Sequence, residues 1–238
     1  MALLVLTVQT GCAKREEAPP TAAQIESVGM QALYAHQPEA IDRLTSWARQ
    51  GMPIAQRELA LAYSNWPQHE SDAQSWLQKA ANGGDNDAQF QLAEALFKGA
   101  LGLRPDHAEA WKWYEAAAKS GNAKASFMLA RMAKYGDGTT QDLATSTHWL
   151  MESSRNGNPQ AMFLLSNAYA AGEGVEVDAV KAREWLEKSA AGDYPVAIQA
   201  LALSLDTDNS NNPENATRAR HLLKEANDER LMHWKNSQ

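Results

Sequence analysis

A tryptophan is followed twelve residues later by an alanine at four places along the chain: Trp76 and Ala88, Trp113 and Ala125, Trp149 and Ala161, Trp185 and Ala197. The pairs recur with a period of 36 or 37 residues. A spacing fixed over that length means that one unit has been copied, and a unit of this size buries its apolar face only by stacking on its neighbours. The chain therefore has to fold as a quasi-one-dimensional array, with no single central core.

Each alanine anchors a helix. A leucine stands four residues after it in every copy: Leu59 after Ala55, Leu92 after Ala88, Leu129 after Ala125, Leu165 after Ala161 and Leu201 after Ala197. That i, i+4 pair marks one helix face. Tyr63, Leu96, Ala133, Tyr169 and Leu205 continue the stripe four residues further on and complete a first helix, A. The best-formed loop after helix A runs from Gly172 to Asp178; its glycines allow positive φ at a helix end and its aspartate can cap the next helix. Helix B then carries the tryptophan and closes on a glycine: Gly84, Gly121, Gly157 and, one residue early, Gly192. Both ends of the array decay. Arg43 and Leu222 take the tryptophan position in the first and last copies, as expected where a terminal repeat has one face without a neighbour.

The expected fold class is all-α: a right-handed α-solenoid of stacked antiparallel helical hairpins, about five to six repeats long. Frequent alanine and the scarcity of β-branched runs favour helix throughout. The expected divisions are a signal-type segment at 1–12, a tether at 13–21, a degenerate hairpin at 22–50, the solenoid at 51–226 and a C-terminal helix or tail at 227–238.

The copy at 161–188, with Ala161, Leu165, Tyr169, Gly172, Gly174, Val175, Asp178, Lys181, Ala182 and Trp185, resembles the Sel-one-like repeat (SLR), a relative of the tetratricopeptide repeat. The likeness extends over about residues 51–226. Three loops depart from the pattern. Residues 64–72 hold Trp66-Pro67 and no Gly-x-Gly, Leu101 replaces the second glycine of 99–106, and 206–217 is an Asp/Asn-rich insertion.

Residues 2–11 are uncharged and mostly apolar, and the chain's only cysteine, Cys12, follows them, with Pro19-Pro20 beyond. This resembles the end of a bacterial lipoprotein signal, in which the cysteine is lipidated. The alternative is an ordinary free cysteine near a frayed start. Gln9 and the lack of a basic residue before the apolar run both depart from the signal. The expected location is the periplasm, lipid-anchored, with the inner leaflet of the outer membrane favoured because alanine and not aspartate follows Cys12. The initial apolar run is well short of the ~20 residues of a spanning helix, so contact with membrane is expected only through the lipid.

Catalytic chemistry finds little support. No two of His36, His69, His107, His148, His221 and His233 are spaced for a zinc pair on a helix, and no Walker loop is present. Asp106, Asp142 and Asp178 recur at helix B starts, which capping explains. No cofactor or metal is expected. With 29 acidic against 22 basic residues and a net charge of -7, the chain lacks the basic stripe of a nucleic-acid binder, and the expected partner is a protein.

The resemblance also implies where that partner sits. In tetratricopeptide-like stacks the A helices line the concave face, which puts Leu61, Glu94, Arg131 and Asn167 in a row, flanked by Arg57, Lys98, Lys134 and Tyr135. The alternative is a solvated face, with contacts made on the convex side or by the 206–217 loop. Trp66 and Trp111, outside the repeating position, are either extra packing or exposed anchors. The SLR likeness implies a non-enzymatic interaction module of the cell envelope: an immunity-type protein that neutralises a secreted phospholipase-like toxin, or an assembly or regulatory scaffold. A third implied activity, on β-lactams, belongs to cysteine-rich relatives with a disulfide in each repeat, and one cysteine cannot form any.

Overall fold

A computed structural model describes residues 18–35, 37–208 and 217–224. Cys12, most of the tether, the middle of the Asp/Asn-rich insertion and the chain after 224 lie outside the described residues. The fold is all-helical: α1 (Ala22–Tyr34), α2 (Pro38–Arg49), α3 (Pro53–Ser64), α4 (Glu70–Asn82), α5 (Asn86–Lys98), α6 (His107–Lys119), α7 (Ala123–Tyr135), α8 (Leu143–Arg155), α9 (Pro159–Ala171), α10 (Ala179–Ala191), α11 (Pro195–Asp208) and α12 (217–224), with a 3-10 turn at Pro67–His69. Odd-numbered helices are the A helices and even-numbered ones the B helices of six hairpins. Among the described residues no helix is long and apolar enough to cross a membrane.

The anchor residues are the innermost. Ala55, Ala88, Ala125, Ala161 and Ala197 are fully buried, as are the leucines four residues on. Alanine at this position lets helix backbones approach closely, and the leucine fills the space beside it. The repeating tryptophans are only half-buried. The residue after each is the true inner position, occupied by Leu44, Leu77, Tyr114, Leu150 and the half-buried Leu186. Each tryptophan lies over the seam between hairpins; Trp149 touches the clusters built around α7 and α9 alike. Lys79 and Lys188 cover the outer faces of Trp76 and Trp185 at 4.1 and 4.3 Å, and in the first hairpin Arg43 lies 5.0 Å over Trp47.

Capping follows the sequence closely. Asp106, Asp142 and Asp178 accept from the first-turn amides of α6, α8 and α10, and Asp85, Asn122 and Asn158 do the same for α5, α7 and α9. The last copy differs in one conformation. The left-handed residue after helix B is Gly51, Gly84, Gly121 and Gly157 in the first copies, all near φ +85°, but in the last it is Asp193 at φ 58° and not Gly192. Gly192 ends α10 one residue early as expected, as the cap itself at φ -89° and ψ 20°, and the left-handed residue that follows is the aspartate.

The loops after helix A also keep a common plan. Asp106, Asp142 and Asp178 each donate their amide to a carbonyl near the end of the preceding A helix, from Leu96, Ala133 and Tyr169 respectively. The 99–106 loop is one residue longer than its counterparts, so its second glycine is displaced and not lost. Gly102, at φ 69°, stands beside Glu70 at the start of α4, just as Gly138 meets His107 and Gly174 meets Leu143. Leu101 absorbs the extra residue in a left-handed conformation at φ 56° while packing with Leu77 and Leu92.

The last full hairpins carry side-chain staples. Ser153 and Ser189 donate to the carbonyls of Ala123 and Pro159 at 2.7 and 2.6 Å, and Ser146 and Ser166 to those of Ala130 and Ala182 at 2.8 and 2.7 Å. A buried hydroxyl requires such a partner, so these bonds fix each B helix on its own A helix.

Candidate partner-binding site

Each helix B packs on its own helix A and on the next one, while successive A helices, apart from α1 and α3, stand further apart. The space between neighbouring A helices is a groove whose floor is the intervening B helix. What fills it depends on the inner residue of that helix. Over α4 and α8 this residue is Leu77 or Leu150, and each groove stays open. Over α6 it is Tyr114, fully buried, whose hydroxyl donates to Glu94 Oε1 at 2.5 Å and whose ring packs against Phe90. Burial, and then the bond to Glu94, hold the Tyr114 hydroxyl far above its ordinary pKa, so it stays a donor. Tyr114 thus fills the middle groove beside Phe90, and the groove stays open only toward the helix starts, where about 500 Å³ lies around Asn86, Asp87, Phe90 and Lys124.

The α3–α5 groove encloses about 280 Å³ and is mainly apolar, with Leu61, Ala95 and Leu101 in its wall. Glu94 and Lys98 stand at its edge as an ion pair, so the edge is neutral. The α7–α9 groove encloses about 320 Å³ over Phe127, Leu150 and Leu164, with Arg131, Lys134, Tyr135 and Asn167 around it. Lys134 donates to Glu173 Oε2 at 2.7 Å, across one repeat. Arg131 is exposed, has the Met128 sulfur at 3.9 Å, lies within electrostatic reach of the Tyr114 hydroxyl, and makes no ion pair with a carboxylate among the described residues. Tyr135 is 64% exposed. Glu173 is held from below: Thr147 Oγ1 donates to its carbonyl at 2.8 Å, and Gly174 sits so close to Leu143 that a Cβ there would fall 2.1 Å from the Leu143 carbonyl oxygen.

Seven of the eight residues expected to meet a partner therefore divide between two grooves: Leu61, Glu94 and Lys98 line one, Arg131, Lys134, Tyr135 and Asn167 the other. Arg57 is the exception and is corrected. It is 7% exposed, and its guanidinium bonds Glu58 at 2.9 Å, Asp85 at 3.0 Å, Glu26 at 3.1 Å and Asp87 at 3.3 Å. Burial works against the charge, but Asp85 and Glu58 outweigh it and hold the guanidinium above its ordinary pKa. Arg57 is an internal tie between the first three hairpins. The room for this cluster comes from Gly29, where a Cβ would lie 2.1 Å from the Glu58 carboxylate.

Sequence reasoning missed Leu203, two residues after the anchor Leu201 and 61% exposed, which continues the row by the same rule that placed Asn167. It also missed Glu173, since a pair between residues 39 apart leaves no local signal. Trp66 is half-buried beside Tyr63 and His69, and Trp111 packs into the α6–α7 cluster, so both serve packing. His107 stacks on Phe97 at 4.4 Å. Among the described residues no three His, Cys, Asp or Glu side chains gather as a metal site.

The solenoid has known counterparts. It is similar to a Sel1 repeat protein from Oxalobacter formigenes, at 24% identity and a TM-score of 0.72, covering 87% of this chain and 88% of that one. A protective antigen of uropathogenic Escherichia coli strains displaying an SLR fold matches at 23% identity and a TM-score of 0.73, over 87% of this chain and 46% of its own. An immunity protein from Pseudomonas aeruginosa is more distant, at 17% identity and a TM-score of 0.52, over 89% of this chain and 83% of that one. No curated protein matches the sequence. The model of the Sel1 repeat matches residues 67–85, 86–122, 123–158 and 159–194, which together make up more than half of the chain, and the chain belongs to the Sel1 repeat family.

Proposed function

We propose that this Sel1-repeat solenoid is a non-enzymatic binding protein of the cell envelope, of immunity type, which takes a secreted toxin on its concave face and blocks it. Sel1 repeats are protein-interaction modules. The observation that carries the concave-face assignment is the A-helix row. Leu61, Glu94, Arg131 and Asn167 change from apolar to acidic to basic to amide along positions that line open grooves and are not packed inside. Packing would favour one residue type in all copies, as it does at the anchor alanines.

The immunity reading draws support from the Pseudomonas aeruginosa immunity protein, whose fold the chain resembles over most of both lengths. The envelope location rests on Cys12 at the edge of its apolar run, and a lipid there would tether the solenoid where an incoming toxin arrives. An acidic body suits encounter with a basic partner, since long-range charge raises the association rate.

Affinity capture on the tagged chain from an envelope extract, followed by mass spectrometry, tests the reading. Recovery of a secreted phospholipase-like protein, whose activity falls on addition of the solenoid, is the expected result. Recovery of envelope assembly components in its place would make the protein a scaffold. For the tether, Cys12→Ser should move the protein from the membrane to the soluble fraction; unchanged fractionation would remove the lipid anchor.

A further inference from the structure

The α7–α9 groove is locally basic on an acidic chain. Two cations, Arg131 and Lys134, face one carboxylate, Glu173, on a chain whose net charge is -7. The α3–α5 groove balances Glu94 against Lys98 and is otherwise mainly apolar, with Ser64 and Gln91 as its uncharged polar groups. A carboxylate already docks at the first site, because Glu173 reaches Lys134 from the next repeat at 2.7 Å. Glu173 is itself about half-exposed, so this ion pair is open to exchange with solvent and with a competing anion. The Arg131 guanidinium, one turn back on the same helix, has no carboxylate among the described residues.

Two amides and an apolar floor fit an extended polypeptide. Asn167 and Gln160 are exposed on the α9 side, and neither makes a side-chain hydrogen bond among the described residues. A primary amide donates and accepts at once, which matches the N–H and C=O of an extended chain. Between the charged rim and α8, Phe127, Leu150 and Leu164 form an apolar floor, and the volume of about 320 Å³ lies at the small end of the ~300–1,000 Å³ of ligand pockets. It has room for one or two side chains of a longer segment.

Resting on the reading of the concave face as the binding surface, we propose that this groove anchors a local acidic, extended segment of a protein partner that is basic elsewhere. The solenoid's acidic body serves the encounter and this groove the anchoring. A partner carboxylate displaces Glu173 from Lys134 and is shared with Arg131. The Asn167 amide bonds the segment's backbone, and an apolar side chain next to the carboxylate lies on Phe127 and Leu164. Glu173 acts as a built-in competitor that keeps the lysine satisfied until the segment arrives and sets a threshold for weak anions.

The probe is a fluorescein-labelled seven-residue peptide with two glutamates around one phenylalanine, read by anisotropy against the full chain in detergent. A control peptide carries glutamines at the same places. The acidic probe should bind, the control should bind about tenfold more weakly, and Arg131→Glu should weaken the acidic probe by a similar factor. Glu173→Gln should tighten binding about threefold, because the competitor is gone while the amide keeps its shape. A gain confined to the acidic probe does not come from misfolding, which would raise binding of the glutamine control as well, so that variant tests the proposal even if Arg131→Glu perturbs the fold.

Equal binding of the two probes, no binding of either, or weakening on Glu173→Gln overturns the proposal. The envelope capture separates it from the broader reading. A captured partner that ignores Arg131→Glu overturns the groove and leaves the interaction module standing, whereas probe binding as expected, with no toxin captured, upholds the groove and removes the immunity reading.

Discussion

Arg57 shows how a single residue type can be read in two ways until its neighbours are known. A charged residue two positions after an anchor alanine looks like surface, yet its guanidinium lies in the seam between hairpins with four carboxylates around it. Two of these, on Glu58 and Asp85, are as buried as the arginine, and Asp85 also caps α5 by accepting from the Ala88 amide at 2.8 Å. Removing the cation strands those carboxylates in a dry seam, and breaking a buried pair from one side costs about 3–5 kcal/mol. Arg57→Ala is therefore expected to lower stability by that amount, read by urea denaturation followed by circular dichroism. Charge reversal of the exposed Arg131 should leave stability within about 0.5 kcal/mol, as for other surface substitutions. A comparable loss from both variants would refute the division of these two arginines into tie and binding group.

At the scale of the element, the loop after α9 carries most of what positions the groove. Gly174 combines a left-handed φ of 71° with a contact that leaves no room for a Cβ against the Leu143 carbonyl. Gly174→Ala must strain the backbone and push the loop off α8, for a cost of about 3 kcal/mol when both effects are combined. It should also carry Glu173 away from Lys134, so anion competition at the groove should weaken in the same variant. A stability change below about 1 kcal/mol would mean that the loop can be rebuilt without touching α8. Features of this kind were legible in the sequence wherever they repeat locally. The anchor alanines and leucines, the capping aspartates and the Gly-x-Gly loop all declare themselves within one period. What escaped depends on contacts between copies: the reach of Tyr114 to Glu94, the pairing of Lys134 with Glu173, and the burial of Arg57 against Asp85. The left-handed conformation of Asp193 escaped because a residue other than glycine carries no local signal for it.

For the whole molecule, titration of two kinds of carboxylate sets opposing limits on stability. The Thr145 hydroxyl, followed by the Ala144 amide, holds Asp142 below its ordinary value of 3.8, and the Lys181 amide and ammonium do the same for Asp178. A depressed carboxylate pKa contributes stability that is present above the unfolded value and lost as pH falls through the folded one. Glu58 runs the other way. Burial, partly offset by Arg57, raises it above its ordinary 4.5, so the folded state favours its protonated form. That contribution is complete below the unfolded value and is lost as pH rises through the folded value. Stability should therefore peak in the mildly acidic range between the two and fall on both sides. Urea midpoints measured from pH 3 to pH 8 should trace this, with Glu58→Gln flattening only the upper side; an unchanged upper limb in that variant would remove Glu58 as its cause. The same linear architecture governs how damage spreads. Trp149 joins the α6–α7 cluster to the α8–α9 cluster and is the aromatic bridge at the centre of the stack. Because its ring is half-buried, Trp149→Ala should cost about 3 kcal/mol, at the low end for an aromatic truncation. In a solenoid whose stability is a sum of neighbour interfaces, weakening the central one uncouples the halves. The variant's unfolding should broaden, with a smaller denaturant slope and the first hairpins melting apart from the last. A shifted transition with the slope of the unaltered protein would show that the two halves still fold as one unit and that coupling runs through the buried leucines of neighbouring hairpins instead.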